Sequence, residues 1–237
     1  MSGHNKWSKI KRQKGVLDAK RGAIFTKLVK NITAAAKQGG GEMDLNPSLR
    51  VAVTQAKEAS MPHANIQKAI DKALGNIAGV VYQDITYEGY GPNGVAVLIE
   101  AMSDNKNRTV ANIRLAFNKA GGSLGENGCV GWMFEKKGIL VVGRDGREEE
   151  LMELVLENNA TDINEYEEVI VIECEPSEHS ALVNAIDAQK FDIIESKIEL
   201  IAENELDVDE DTAIKIQELV ERLEEDEDVQ NVYTNVK

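Results

Sequence analysis

The sequence predicts an α+β protein: an N-terminal three-helix domain followed by two α/β domains, with the third, ferredoxin-like domain inserted into the second. Three observations predict this architecture. Apolar positions in residues 1–80 show only helical periodicity, whereas strand-like and helical segments alternate from residue 81 onward. A helix and a strand also remain at the C-terminus after a complete βαββαβ unit. A hydrophobic fraction of 42% with only 4 prolines is typical of a folded chain.

The first helix is predicted to run from about Asp18 to Gln38. Asp18 can cap its N-terminus, and the three glycines at 39–41 end it. On a helical projection the apolar side chains between Ile24 and Ala36 fall within one arc. The opposite side carries Lys20, Lys27, Lys30 and Lys37. We therefore expect a core face and a cationic face, with the cationic face left for an external partner.

Two further helices are predicted from proline positions. Asn46 is a suitable N-cap before Pro47 at the first helical position, and Pro62 opens the next helix in the same way. Gly75 ends that third helix. Because each of the three helices is short and amphipathic, they are expected to bury one another's apolar stripes.

The second domain is predicted to begin with two strands, 83–90 and 95–101, joined by the turn sequence GPNG at 91–94. A helix over 105–120 follows and ends at a glycine pair. Residues 129–134 are then predicted to return to strand.

The third domain is predicted as a βαββαβ unit, the ferredoxin-like order. Its segments are strand 138–142, helix 147–158, strands near 161–165 and 168–174, helix 178–189 and strand 192–202. A final helix, 210–225, and strand, 229–235, most simply complete the sheet of the second domain. The predicted domains are therefore 1–80, 81–136 plus 204–237, and 137–203.

Charge is strongly segregated along the chain. Residues 1–30 contain nine lysines and arginines and one acid, whereas the whole chain has a formal net charge of −14. This pattern predicts a local site for a polyanion on an otherwise acidic protein. Residues 6–14, KWSKIKRQK, also place one indole among five cations, which suits phosphate neutralisation with base stacking. The predicted nucleic-acid-binding residues are Lys6, Trp7, Lys9, Lys11, Arg12, Lys14, Lys20, Arg21, Lys27 and Lys30.

A weaker cationic cluster lies on the predicted 105–120 helix. It comprises Lys106, Arg108 and Arg114, with Lys119 further along, and an ordinary solvated helix face explains it equally well. For the N-terminal cluster the alternative is a solvated arm that binds nothing, with Trp7 packed against a domain.

Other motifs have simpler explanations than ligand binding. GYGPNG at 89–94 fits G-x-G-x-x-G, but a strand rather than a helix follows it, so a hairpin turn is the better interpretation. Asp207, Asp209 and Asp211 imitate a calcium loop without its central glycine, and we interpret them as helix-capping acids. Three scattered histidines and two distant cysteines lack metal-ligand spacing. The sequence predicts no metal, no cofactor and no catalytic constellation.

Several motifs together resemble the YebC/PmpR family. They are GHNKW at 3–7, DAKRG at 18–22, FTKL at 25–28, GGG at 39–41, NPSLR at 46–50, MP at 61–62, YEGYGPNGVAV at 87–97, DNKNRT at 104–109, GGSLG at 121–125 and FEKKG at 134–138. The resemblance implies three domains, one helical and two α/β. The family often has a histidine in its basic run, where this chain has KRQK at 11–14.

The resemblance also implies a function. Family members are labelled probable transcriptional regulators, and some relatives are similar to translational activators or to ribosome-associated factors that relieve stalling. We expect a non-enzymatic regulator of gene expression that binds DNA, with a translation factor on ribosomal RNA as the alternative. The first 15 residues have no apolar run, and no stretch approaches the ~20 apolar residues of a membrane helix, so a cytoplasmic protein without a membrane or small-molecule partner is expected.

Overall fold

The computed structural model describes residues 21–75 and 82–237, with side chains from Ile24 onward. Its helices are α1 (Arg21–Gly39), α2 (Pro47–Glu58), α3 (His63–Leu74), α4 (Lys106–Ala120), α5 (Glu148–Glu157), α6 (His179–Ala188) and α7 (Glu210–Glu224). The strands are β1 (Gln83–Tyr90), β2 (Ala96–Ser103), β3 (Ser123–Leu124), β4 (Phe134–Gly143), β5 (Ala160–Glu165), β6 (Val169–Cys174), β7 (Ile193–Ala202) and β8 (Val229–Thr234). The α+β class is confirmed.

Helices α1, α2 and α3 pack together around one apolar core that includes Ile32, Leu49 and Ile70. Asn46 joins the first two helices: its Oδ1 accepts from Leu49 N at 3.0 Å, and its Nδ2 donates to the carbonyl oxygens of Ala35 and Gly40. The predicted start of α2 at Pro47, capped by Asn46, is confirmed. Helix α3 begins one residue later than predicted, at His63, because Pro62 occupies its N-cap position. The predicted start of α1 at Asp18 lies outside the described residues.

The first sheet has the strand order β3-β1-β2-β8, and all its pairs are antiparallel. Helices α4 and α7 pack against each other, and α7 also contacts β8. The last strand, β8, therefore completes this sheet beside β2, and the last helix, α7, packs with it, as predicted.

The strand predicted over 129–134 is wrong. The third strand of the first sheet is β3, a two-residue segment at Ser123–Leu124, and Gly131–Met133 forms a 3₁₀ turn. The physical reason is that the backbone N–H groups of Gly128, Val130 and Gly131 donate to the Glu88 carboxylate, so they do not enter a strand ladder.

The second sheet has the order β5-β6-β4-β7 with antiparallel pairs throughout, which is the ferredoxin-like arrangement. Helices α5 and α6 pack on one face over a core that includes Leu140, Ile172 and Leu182. A separate apolar cluster occupies the other face: Ile139, Val141, Val169 and Val171. The predicted ferredoxin-like insertion is confirmed.

The described chain forms two compact units. One consists of Trp132–Asp207 and Asn235–Lys237; the other holds the described residues from α1 to Gly131 together with Val208–Thr234. The helical bundle and the first sheet thus belong to the same unit. None of the helices in the described ranges combines the length and apolarity needed to cross a bilayer.

Candidate nucleic-acid interface

Most of the predicted N-terminal site precedes the described part of the chain. Lys27 and Lys30 on α1 are the two predicted binding residues of that set whose side chains are described. The remaining members, outside the described side chains, are Lys6, Trp7, Lys9, Lys11, Arg12, Lys14, Lys20 and Arg21.

The side chains of Lys27 and Lys30 turn toward the C-terminal end of α7. Lys27 Nζ donates to the carbonyl oxygen of Glu224 at 3.0 Å, and Lys30 Nζ donates to that of Glu227 at 2.8 Å. Carbonyl groups at a helix C-terminus lack partners within the helix and attract cations. These two lysines therefore fasten the helical bundle to the α/β part of the same unit.

Asp228 is the centre of this contact and is 1% exposed. Its carboxylate accepts from Lys30 Nζ at 2.7 Å, from Arg108 Nη2 at 2.7 Å, from Thr109 Oγ1 at 2.8 Å and from Ser103 Oγ at 3.1 Å. We call these five residues the Asp228 cluster. Lys30 is only 7% exposed, so the predicted outward cationic face of α1 is interrupted there.

The electrostatics of the Asp228 cluster favour its ionised state. Burial by itself would raise the pKa of Asp228, but hydrogen bonds from Lys30, Arg108 and Thr109 outweigh it and lower the pKa to about 2. The hydrogen bonds that Arg108 donates to Asp228 and Asp104 raise the pKa of its guanidinium group. The ring of Tyr82 lies 5.8 Å from Lys30 Nζ, a cation–π contact on the same side chain.

The second predicted cluster lies on α4, where Lys106, Arg108 and Arg114 are all exposed, as is Lys119. Arg108 is already paired: besides Asp228 it donates to Asp104 Oδ1 at 2.9 Å. Lys106 and Arg114 are exposed and remain the candidate binding cations of this cluster.

Sequence analysis missed the cations that α2 and α3 expose. Lys57 on α2 and the pair Lys68 and Lys72 on α3 are all exposed, together with Lys37 near the end of α1. The i, i+4 spacing of Lys68 and Lys72 is the signal that could have identified them, because residues so spaced share one helix face.

Glu88 is a second buried carboxylate that sequence analysis missed. It lies in β1, is 7% exposed, and accepts backbone hydrogen bonds of 2.6–2.8 Å from Gly128, Val130 and Gly131. Burial raises the pKa of Glu88, yet the three N–H donors outweigh it and leave the pKa below its ordinary value. Nothing in the sequence distinguishes this glutamate, because its donors are backbone groups.

The motifs interpreted as structural are structural. GYGPNG ends β1 and forms the turn to β2, with Gly91 N donating to Val95 O at 2.8 Å. Asp209 caps α7 by accepting from Thr212 N. Cys174 is buried in β6, Cys129 is half-buried outside any strand, and the two cysteines do not form a disulfide.

Comparison with known proteins gives two family-model matches. The model described as "TACO1/YebC protein N-terminal domain" matches residues 5–76, and that described as "TACO1/YebC second and third domain" matches residues 82–236.

Relatives match along nearly the whole chain. A "Probable transcriptional regulatory protein" of Nitratiruptor sp. is 53% identical over 237 residues, covering 100% of both chains. One of the same description from Syntrophus aciditrophicus is 50% identical, covering 99% of this chain and 95% of that one. The crystal structure of a conserved hypothetical protein from Aquifex aeolicus is 40% identical, with a TM-score of 0.80 over 93% of this chain and 92% of that chain.

Proposed function

This chain belongs to the TACO1/YebC family, and on that premise we propose that it is a non-enzymatic, cytoplasmic, nucleic-acid-binding regulator of gene expression. Its relatives are named as probable transcriptional regulatory proteins. DNA is therefore the first target of the proposal. The residues proposed to make the contact are the N-terminal cations and Trp7.

The observation that carries the proposal is the segregation of charge. Residues 1–30 contain nine lysines and arginines and only one acid, whereas the whole chain has a net charge of −14. An acidic protein repels a polyanion except where its cations are concentrated, so contact is confined to one part of the surface. Binding that is mostly phosphate neutralisation is strongly salt-dependent.

The described residues refine which cations take part. Lys30 is buried against Asp228, and Lys27 is bonded at the end of α7, so the proposal assigns both to holding the bundle in place. The exposed lysines of α2 and α3, Lys57, Lys68 and Lys72, extend the cationic surface of the same domain. The proposed interface is thus the N-terminal segment supported by the solvent-facing lysines of the bundle.

Ribosomal RNA is the second candidate target. Lysine is a flexible point charge, and the solvent-facing cations of α2 and α3 are mainly lysines rather than the bidentate side chains that distinguish base edges. Contact with phosphates that is indifferent to sequence suits a folded RNA recognised by its shape. This observation favours a translation factor over a promoter-specific regulator.

The proposal is tested by salt titration of binding to duplex DNA and to a structured RNA. The slope of log affinity against log salt concentration counts phosphate contacts. Replacing Lys9, Lys11 and Lys14 by alanine should reduce its magnitude by about 2 to 3 units, because each lost contact removes roughly 0.7 to 0.9. A matched triple variant replaces three lysines of the α/β parts by alanine and should keep the wild-type slope: Lys136, Lys215 and Lys237. Equal slopes for both triple variants would remove the N-terminal segment from the interface.

Crosslinking in cells, followed by sequencing of the attached nucleic acid, separates the two targets. Recovery of promoter DNA without ribosomal RNA would reject the translation factor. Recovery of ribosomal RNA alone would reject the promoter-binding regulator. A wild-type protein without measurable affinity for either polymer in dilute buffer would overturn the whole proposal.

A further inference from the structure

The two helices of the first sheet, α4 and α7, form a groove between them. They pack against each other within one compact unit, and the groove has a volume of about 370 Å³. Its floor is apolar, because Ile113, Ala116 and Leu223 line it and are each at most 4% exposed. Leu115 also lines the groove and is 54% exposed. Sites for small ligands commonly enclose about 300 to 1,000 Å³ between apolar side chains, so this groove can hold one flat ring system.

The helices α4 and α7 run antiparallel. Arg108, in the first turn of α4, donates to Asp228, which follows the C-terminus of α7. One turn further along α4, Asn112 Nδ2 donates to Asp226 Oδ2 at 2.8 Å. Each step toward the end of α4 is therefore a step back toward the start of α7.

This orientation separates the charges along the groove. Lys119 lies seven residues beyond Asn112 on α4, about 10 Å along the helix axis at a rise of 1.5 Å per residue. Arg222 lies about one helical turn before Asp226, displaced in the same direction. Both cations are exposed. Because Glu225 and Asp226 line the groove beside Asn112, one end is anionic and the other is cationic.

The anionic end is rich in hydrogen-bond acceptors. The Asp226 carboxylate accepts from Asn112 Nδ2 through Oδ2 and from Asp228 N through Oδ1, each at 2.8 Å. An ionised carboxylate accepts at about four lone-pair positions and donates none, so Asp226 keeps acceptor positions for a ligand. The amide group of Asn112 turns its NH₂ toward Asp226 and keeps its own oxygen as a further acceptor.

A nucleotide has the complementary chemistry. Its phosphate is anionic, the faces of its base are apolar, and N–H groups lie at the far edge of the base. Proteins recognise unpaired bases by apolar stacking together with hydrogen bonds to the Watson–Crick edge. Guanine presents two adjacent N–H donors there, N1–H and the N2 amino group, and a single carboxylate can accept both.

We propose that the groove between α4 and α7 binds one unpaired guanine nucleotide. The phosphate lies at Lys119 and Arg222, the base lies over the apolar floor beside Leu115, and its N–H groups donate to Asp226. This site goes beyond the proposed function, which rests on the N-terminal cations and on phosphate contacts that are indifferent to the base.

The probe is guanosine 5′-monophosphate, titrated into the full-length chain by calorimetry, with uridine 5′-monophosphate as the comparison. Uracil has a single ring N–H on its Watson–Crick edge, so the guanine nucleotide should bind about tenfold more tightly, the discrimination expected of one bidentate pair. Equal affinities for the two nucleotides would overturn the proposal. So would the absence of measurable binding of either nucleotide.

Removal of the cations tests the position of the phosphate. Lys119→Ala/Arg222→Ala should weaken binding of the guanine nucleotide about fivefold, because two exposed ion pairs are lost. The same variant should bind guanosine, which has no phosphate, as the wild type does. The control removes two exposed lysines of the other compact unit and should leave both affinities unchanged: Lys136→Ala/Lys237→Ala. Equal losses in the two double variants would mean that net charge alone attracts the nucleotide, contrary to the proposal.

Replacement of the carboxylate tests recognition of the base. Asp226→Asn should bring the affinities for the guanine and uracil nucleotides to within about twofold of each other, because an amide oxygen cannot accept both donors as a carboxylate does. The ratio of the two affinities, measured on one sample, does not depend on the fraction of folded chain. An undiminished preference for guanine in Asp226→Asn would refute the assigned contact and the site with it.

A free nucleotide and a nucleotide within a single strand present the same chemistry, and competition separates them. If hexauridylate with one central guanosine displaces the guanine nucleotide and plain hexauridylate does not, the groove accepts a nucleotide within a strand. If neither hexamer competes, the groove serves a free nucleotide; both outcomes support the guanine site. The Lys9, Lys11 and Lys14 alanine variant should keep wild-type affinity for the guanine nucleotide, so the groove and the N-terminal interface succeed or fail separately.

Discussion

Replacement of Asp228 by asparagine should loosen the attachment of the helical bundle to the first sheet. The Asp228 carboxylate accepts from Lys30 on α1, and from Arg108, Thr109 and Ser103 in the α/β part. Asparagine keeps one acceptor oxygen but brings an NH₂ group toward two cationic donors. The variant therefore leaves the ammonium of Lys30, which is 7% exposed, without its charged partner.

The size of the effect follows from the ionisation of Asp228. Its pKa is lowered from an ordinary value of 3.8 to about 2. That difference corresponds to about 2 kcal/mol of preference for the charged form in the folded state. Removing one member of a buried ion pair costs roughly 3 to 5 kcal/mol in other proteins. Because the Lys30 ammonium retains the Glu227 carbonyl, we expect Asp228→Asn to lower the free energy of unfolding by about 2 to 4 kcal/mol.

The pH dependence identifies the group responsible. Since the folded pKa of Asp228 lies below the unfolded value, its contribution to stability is complete above about pH 5 and is lost as the pH falls toward 2. Urea unfolding of wild type and Asp228→Asn should therefore differ by a constant amount between pH 5 and 8. The difference should shrink progressively below pH 4.

Two comparisons make the result specific. Glu227→Gln removes the same charge from the neighbouring exposed residue, whose backbone carbonyl alone contacts Lys30, and should change stability by less than about 0.5 kcal/mol. A double-mutant cycle with Lys30→Met should give a coupling energy of about 1 to 3 kcal/mol with Asp228. If Asp228→Asn is as stable as Glu227→Gln, or if the coupling vanishes, the Asp228 cluster does not fasten the bundle.

Two other variants test local features of the fold. Glu88→Gln offers one acceptor to the three N–H groups of residues 128–131, so hydrogen exchange there should accelerate and stability fall by about 1 to 3 kcal/mol, whereas Glu126→Gln in the same loop should leave both unchanged. Unaltered exchange in Glu88→Gln would show that the loop is held by other contacts. Asn46→Ala removes the cap of α2 and two bonds to carbonyls, and should lower the free energy of unfolding by about 1 to 2 kcal/mol, in contrast to the exposed Ser48→Ala. Equal unfolding midpoints for these two variants would contradict the role given to Asn46.

The elements that follow from local chemistry were predictable from the sequence. Pro47 and Pro62 mark the starts of α2 and α3, and Gly75 marks the C-terminus of α3. The backbone properties of these residues act within a few positions along the chain. Short apolar runs such as residues 138–142 predicted the central strands of the inserted domain, and the βαββαβ order predicted its sheet topology.

The features that were missed depend on residues distant in the sequence. Glu88 meets its donors about 40 positions later, and Asp228 meets Lys30 across 198 positions. Helical periodicity places Lys30 on the cationic side of α1, but it does not reveal that a buried carboxylate lies opposite. The composition of segment 129–134 is typical of a strand, but the N–H groups of Val130 and Gly131 donate to Glu88 instead of to a neighbouring strand.

These long-range contacts decide which of the predicted cations are available to a phosphate. To contact a phosphate, Lys30 would have to leave the buried Asp228 carboxylate without its cation from α1, which costs several kcal/mol. The exposed ion pair that Lys30 would form with the phosphate would stabilise the complex by at most ~1 kcal/mol. Lys30 therefore stays with Asp228 when a polyanion binds. A salt slope counts the phosphates neutralised, so substitution of Lys30 should change stability and leave the slope unaltered, while substitution of Lys11 should do the opposite.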